Sequence, residues 1–291
     1  MLDFRYHIFY LGLMFLMLGF GVFIGASLTG PALVRRQTDA INTLRGETNQ
    51  VVQERDLTRD RVQKDEAGLN ALRPALVHGL LKGRRVVVIQ TGDYSDATEA
   101  ASSALSDAGA TVTATVVLPD KWDALSPGQR ATLAQAAGGN TDLANLRAAL
   151  MQNLMTTLVH GTASGRGAVV LPALQTQGLM TISGDIAAPC AFFVLVGGHA
   201  DDGSGLDTAV LNGFAVLSPR VTVAGCEPYT AAASSIPAFQ AAGISSVDCV
   251  DLPLGQIALP LALQGDKGDY GLKPTASQTL PAFPEAGAAT P

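Results

Sequence analysis

The chain has 291 residues, 47% of them hydrophobic and 15% charged, with a formal net charge of −6, enough apolar mass for one full globular core plus appendages. The sparse, acidic charge excludes the clustered basic surface of a nucleic-acid binder. Three widely spaced cysteines, Cys190, Cys226 and Cys249, lack the spacing of zinc or redox sites and are too few for a disulfide scaffold, so they read as buried packing residues.

Residues 8–28, IFYLGLMFLMLGFGVFIGASL, hold no charged side chain. At 1.5 Å per residue this stretch reaches about 31 Å, enough to cross a hydrocarbon core of ~30 Å once. A cleaved signal peptide is the rival reading, with Gly25-Ala26-Ser27 as its small residues, but its apolar region normally runs only ~7–15 residues. An uncleaved single-pass anchor is therefore expected, with Tyr6 and Tyr10 at the interface and Pro31 breaking or kinking the helix just beyond it. Gly21-x-x-x-Gly25 is a small-x-x-x-small pair, which lets membrane helices pack closely and predicts a homodimer. Arg35, Arg36 and Arg45 after the span pull the C-terminal bulk towards the cytoplasm by the positive-inside rule, whereas Arg5 ahead of it suits a signal anchor, so charge leaves the side open.

Between residues 33 and 72 apolar side chains fall on a seven-residue grid: Val34, Ile41, Val62 and Leu69 on one line, Leu44, Val51 and Leu72 on the other. That spacing predicts a coiled-coil stalk. Its seam also holds Gln37, Thr48, Arg55, Thr58 and Asp65, so it is a weak zipper, and a solvated single helix is the alternative. Pro74 is expected to reset the chain before residues 75–81.

From Arg84 onward the pattern becomes α/β. Residues 85–90 (RVVVIQ) are rich in β-branched side chains, Asp96-x-x-Glu99 offers a capping box for a helix, Gly109 closes that helix, and residues 111–118 return to strand. Continuous apolar strands point to a buried parallel sheet. Further strands are expected at 167–171, 191–196, 221–224 and 246–250, and helices at 140–159, 207–217 and 235–242. The result is a Rossmann-like open parallel-sheet domain. Ligands of such sheets sit beyond the carboxyl ends of the strands, which singles out the loops Thr91-Gly-Asp-Tyr-Ser95, Gly197-Gly-His-Ala-Asp-Asp202 and Cys226-Glu-Pro228. No G-x-G-x-x-G, P-loop or G-x-S-x-G motif follows a strand, so no enzyme is expected. Asp93 and His199 would be the groups to watch if one were present.

His199, with Asp201 and Asp202 beside it, is the best polar cluster at a strand end and a candidate metal ligand, although Gly and Asp are also ordinary turn residues. For soft metals, Met151, Met155 and His160 fall on one short stretch, with the two thioethers on one helix face as Cu(I) would require. Core packing explains the same methionine spacing.

Both ends of the chain carry a resemblance. Phe4-Arg-Tyr-His7, running into a Gly-rich apolar segment that ends Ile24-Gly-Ala26 and then into the stalk, is similar to the MctB-like copper transporter family. Asp248-x-x-Asp251, Leu254-Gly-Gln-Ile-Ala-Leu259, Gly265 and Gly268-Asp-Tyr-Gly-Leu-Lys-Pro274 resemble that family's closing signature. The resemblance implies a membrane-anchored envelope protein, its soluble part outside the cytoplasm, associated with copper transport or efflux. A related envelope protein, SteB, acts within envelope and division complexes, so the runner-up is a scaffold or activator subunit of such a complex with no transport activity. The resemblance brings no catalytic residues, and the chain shows no Met- or Cys-rich copper motif. The strands do not alternate as those of a porin do, and residues 8–28 offer few polar groups to line a pore, so transport is expected to need protein partners.

The expected organisation is a transmembrane anchor at 1–30, a helical stalk at 31–81, the α/β domain at 82–274 and a flexible tail at 275–291. It includes no resident cofactor, copper as a transported or bound ion, envelope protein partners, no nucleic acid, and a homodimer formed through Gly21, Gly25 and the stalk.

Overall fold

The computed structural model describes residues 4–139, 142–162, 166–201, 205–217, 221–265 and 267–283. Two units are distinct, Met1–Asp65 and Glu66–Pro291.

The first unit is helical throughout its described length and belongs to helix α1 (Phe4–Val77). Its stretch Tyr6–Gly25, 20 residues, is the one described segment long and apolar enough to cross a membrane, and it is exposed along its whole length. Beyond it, Ile41, Leu44, Val51, Leu57 and Val62 are also exposed. The polar side chains here satisfy themselves locally. Thr43, Thr48 and Thr58 each donate to the carbonyl four residues earlier, at 2.9, 2.7 and 2.7 Å. The helix runs on through Pro31, where the sequence suggested a break or kink, and through Pro74, where it suggested a reset. A helix can forgo one hydrogen bond at a proline when neighbouring turns remain intact.

The second unit holds the last turns of α1, then β1 (Arg85–Gln90), α2 (Ser95–Asp107), β2 (Thr111–Val117), α3 (Pro127–Ala137), α4 (Leu143–His160), α5 (Gly167–Thr176), β3 (Thr181–Gly184), β4 (Phe192–Val196), α6 (Leu206–Ala215), β5 (Thr222–Cys226), α7 (Ile236–Ala241), β6 (Ser245–Val247), α8 (Pro253–Gln264) and β7 (Asp269–Tyr270). The described strands form one sheet in the order β3-β2-β1-β4-β5-β6-β7. All neighbours are parallel except β2 and β3, so the mainly parallel sheet carries one antiparallel edge.

Alternate side chains of the central strands feed opposite cores, as the two-residue period of a strand requires. Val87, Ile89, Phe193 and Leu195 join the core built with α3 to α7. Val86, Val88, Val194 and Val196 join the other, with α2, α8 and the end of α1. Leu146, Leu150, Leu154 and Leu158 recur every four residues and give α4 its buried stripe. Arg73 fastens the end of α1 to this unit through a 2.8 Å ion pair with Asp107 and a hydrogen bond to Gln256.

Two local expectations are corrected. Residues 167–171 are not a strand but the start of α5, which buries Val170, Leu171 and Leu174; a short apolar run looks the same in either structure until its packing partner is known. Asp96 and Glu99 form no capping box, because α2 begins at Ser95 behind Tyr94, which makes no side-chain cap. Asn140 at the expected start of α4, and the end of the C-terminal tail, 284–291, lie outside the described residues. Within the earlier part of that tail, the backbone N–H groups of Ser277 and Gln278 bond Asp269 at 2.9 and 3.1 Å.

Candidate functional site

The strand order reverses between β1 and β4: the chain leaves β1 towards β2 and comes back to β4 on the other side. A crevice is expected at the carboxyl ends of such a strand pair. The three loops singled out by the sequence meet there.

Glycine makes the meeting possible. A Cβ on Gly92 would collide with the carbonyl oxygens of Gly197 and Gly198, and one on Gly197 would overlap Ser235. With only hydrogens at these positions, Thr91 and Gly92 donate their backbone N–H groups to Val196 at 3.0 and 3.1 Å. Gly198, at φ +86°, turns the chain so that His199 pairs with Ala233 in both directions at 2.9 Å.

Asp207, in the first turn of α6, is the hub. Its carboxylate accepts hydrogen bonds from the hydroxyls of Thr91 and Ser235, and its Oδ2 lies 3.2 Å from His199 Nε2. Ser235 Oγ also accepts the Gly198 N–H at 2.7 Å. His199 is only 4% exposed. Its other ring nitrogen, Nδ1, is buried without a hydrogen-bond partner and lies 3.8 Å from Asp93 Oδ2, an oxygen that also accepts the Ala200 N–H at 2.9 Å. The hydrogen bond with Asp207 raises the imidazole pKa above its ordinary value against the effect of burial, helped by the charges of Asp207, Asp93 and Asp120. Burial pushes Asp207 up, but the hydrogen bonds from His199, Ser235 and Thr91 outweigh it and hold the carboxyl below its ordinary value.

A second polar node adjoins the first through Ser235. Glu227, 0% exposed, accepts the Ser235 N–H at 2.6 Å, the Ser234 hydroxyl at 2.7 Å and Lys273 Nζ at 2.5 Å. Asp248 accepts the N–H groups of Leu272 and Lys273 at 2.8 and 2.9 Å. Asp251 accepts the Tyr229 N–H at 2.6 Å. The closing sequence signature is thus a clasp: its aspartates hold the backbone, and its lysine neutralises a buried glutamate.

This order of hydrogen bonds is not that of a nucleophilic triad. There the serine donates to the imidazole, which removes its proton; here serine and imidazole both bond the carboxylate, so His199 does not activate Ser235. The arrangement suits fixing an imidazole in one orientation. Two surface hollows, one along Arg147, Gln152, Thr208 and Asn212 and one along Leu171, Gln175, Ile182 and Ile186, include none of these groups.

The four candidate metal ligands occupy different surroundings. Met151 and Met155 are buried within the core of α4 and α6, close to the backbone of Gly213. His160 ends α4 in an exposed position. His199 stands in the network described above. Asp201 follows it in an exposed position, and Asp202 lies outside the described residues. Among the described residues no three His, Cys, Asp or Glu side chains form a metal-sized group. The cysteines are free and buried; burial raises the Cys226 thiol and, with Asp248 nearby, pushes Cys249 up to about 12. Sequence reasoning passed over Asp207 and Ser235 because both look like ordinary helix starts. The signal for Lys273 and Asp248 was their place in the closing signature.

Family comparison gives this architecture its class. Residues 1–281 match the family described as copper transport outer membrane protein, MctB, and the chain belongs to that family, which is a transport family and not an enzyme class. Among its curated relatives are the copper transporters MctB of Mycobacterium bovis and of two strains of Mycobacterium tuberculosis. Each is 26% identical over 303 residues, covering 93% of this chain and 96% of the relative.

Proposed function

We propose that this chain is a single-pass, membrane-anchored envelope protein that takes part in copper transport or efflux together with protein partners, its α/β domain lying outside the cytoplasm. The observation that carries this reading is the family match over 1–281, and the exposed apolar stretch Tyr6–Gly25 supports the anchor. The working organisation is an anchor at 1–30, a stalk at 31–81, a Rossmann-like domain at 82–274 and a tail beyond. The strand order of the sheet supports the Rossmann-like description. The apolar side chains exposed along α1 from Ile41 to Val62 support a stalk that pairs with a second copy, with Gly21 and Gly25 at the membrane contact.

The sheet is covered by helices on both faces and its central strands β1 and β4 are buried, unlike the wall of a transmembrane barrel, whose strands alternate between lipid and lumen. Any conduit is therefore formed with partners. In cells lacking their own copy of the gene, the full chain should lower cell-associated copper, and a chain without residues 1–30 should not. Copper content indifferent to the full chain would overturn the transport reading. It would favour the second reading, a scaffold or activator subunit of an envelope or division complex, which the lack of a three-ligand metal cluster among the described residues supports.

A further inference from the structure

We infer that His199 Nδ1 and Asp93 Oδ2 are the two protein ligands of a divalent d-block cation, Cu(II) or Zn(II), with Asp207 positioning the imidazole. The inference deepens the copper reading above, and rests on that reading only in naming copper as the ion met in the cell; cation binding itself rests on the geometry.

Three features carry it. His199 is buried, its Nε2 is engaged by Asp207 at 3.2 Å, and its Nδ1 has no hydrogen-bond partner. A carboxylate accepts and does not donate, so the Nε2 proton points at Asp207; in the neutral form that a cation binds, the ring's lone pair lies on Nδ1, where cation and proton compete. That lone pair faces another acceptor, Asp93, across 3.8 Å. The gap is too long for a hydrogen bond. It is also slightly shorter than the sum of a metal–nitrogen and a metal–carboxylate bond, each about 2.0–2.2 Å, so one ion fits between the two atoms in a bent arrangement.

The surroundings are those of a ligand histidine. Metal-bound imidazoles typically donate their second N–H to a carboxylate, which fixes tautomer and orientation. Asp207 does this here, itself held by Thr91 and Ser235. On the other side, the Ala200 N–H orients Asp93, whose side chain is 41% exposed, so water can reach the ion and complete its coordination. Imidazole with carboxylate selects Cu(II) or Zn(II); Cu(I) prefers thiolate and thioether sulfur, and Met151 and Met155 are sealed in the core.

The test uses the full chain in detergent micelles, metal-free, with His7, His78 and His160 replaced by Asn so that His199 is the one remaining imidazole of four. Cu(II) is titrated against glycine as competitor and followed by electron paramagnetic resonance. The expected result is one Cu(II) per chain with splitting from a single imidazole nitrogen. Asp93→Asn should weaken it at least tenfold, since the amide oxygen still accepts from Ala200 while the ligand charge is gone. His199→Asn should abolish the imidazole splitting. Asp207→Asn should alter the spectrum as the imidazole loses the negative charge that raises its ligand basicity. Any copper held by the terminal amine is common to all variants. Affinity and spectrum unchanged in both Asp93→Asn and His199→Asn, with folding intact by circular dichroism, would overturn the site. The copper-transport reading would then still stand or fall on cell copper content. Binding in vitro that Asp93→Asn abolishes without any change in cell copper would uphold the site and overturn its assignment to copper.

Discussion

Replacing Asp207 by alanine should be among the most damaging single changes in the α/β domain. The carboxylate accepts from Thr91, Ser235 and His199. After truncation, Thr91 keeps the Val196 carbonyl at 3.3 Å as a second acceptor, but the Ser235 hydroxyl proton and the His199 Nε2 proton lose theirs. Leaving a buried polar group unpaired costs about 1–3 kcal/mol, and removing one member of a buried charge pair about 3–5 kcal/mol, so Asp207→Ala should lose roughly 3–5 kcal/mol. Set against a typical total of ~5–15 kcal/mol, that leaves the domain close to its threshold. Asp207→Asn keeps one acceptor, and the two hydroxyls can turn to accept from its amide, so its cost should be on the order of 1–2 kcal/mol. Urea unfolding of the full chain in micelles, followed through Trp122, reads this directly: it is the one tryptophan in the sequence and is fully buried in the α/β domain. A loss below about 1 kcal/mol for Asp207→Ala would refute the assignment of Asp207 as the hub.

The same pair fixes a pH dependence. Asp207 is lowered and His199 raised, so their contribution is full between the unfolded carboxyl and imidazole values, about 3.9 and 6.5. It is lost as pH falls through the depressed carboxyl pKa and as pH rises through the elevated imidazole pKa. Metal-free protein should therefore be more stable near pH ~5–6 than near pH ~9, and His199→Asn should flatten the alkaline limb of the melting-temperature profile. Lys273→Met should cost about 3–5 kcal/mol by stranding Glu227, and adding Glu227→Gln should recover part of it in the same unfolding assay. Gly92→Ala forces a Cβ into two carbonyl oxygens and should lower the unfolding midpoint, with a cost of about 1–3 kcal/mol. Thiol labelling at pH 8 should be slow at Cys226 and Cys249 in the native chain and rapid in urea, read by mass spectrometry, because both are buried and their thiols are held protonated.

The first half of the sheet is legible in the sequence because its signals are local. The β-branched run of β1, the turn at Gly109 and the return to strand at Thr111 need no knowledge of what they touch. The three loops beyond β1, β4 and β5 were legible for a topological reason, since strand ends at an order reversal converge whatever their residues. Residues 167–171 misled because β-branched composition and helical packing compete there, and Leu174, outside that window, decides for the helix. The capping box of α3, Ser126 with Gln129, was just as local as the misread pair Asp96 and Glu99. The difference lies in Tyr94, which starts α2 two residues earlier than its acidic residues suggest. Within the site, His199 stands out as a histidine beside a glycine pair. Asp207 does not, because its importance comes from Thr91 and Ser235, neither of them near it in the chain.

The clasp formed by Asp248, Glu227 and Lys273 also has a bearing on how the domain is made. Glu227 sits on the β5 side of the sheet, yet the ammonium that neutralises it arrives 46 residues later, beyond the last described strand. A chain emerging from the ribosome exposes β1, β2 and β4 long before that lysine appears, and a fold closed over Glu227 without it would bury the carboxylate with only the Ser234 and Ser235 donors. Closure of the fold is thus tied to synthesis having passed Lys273, and a product cut short ahead of that residue should stay open to proteolysis.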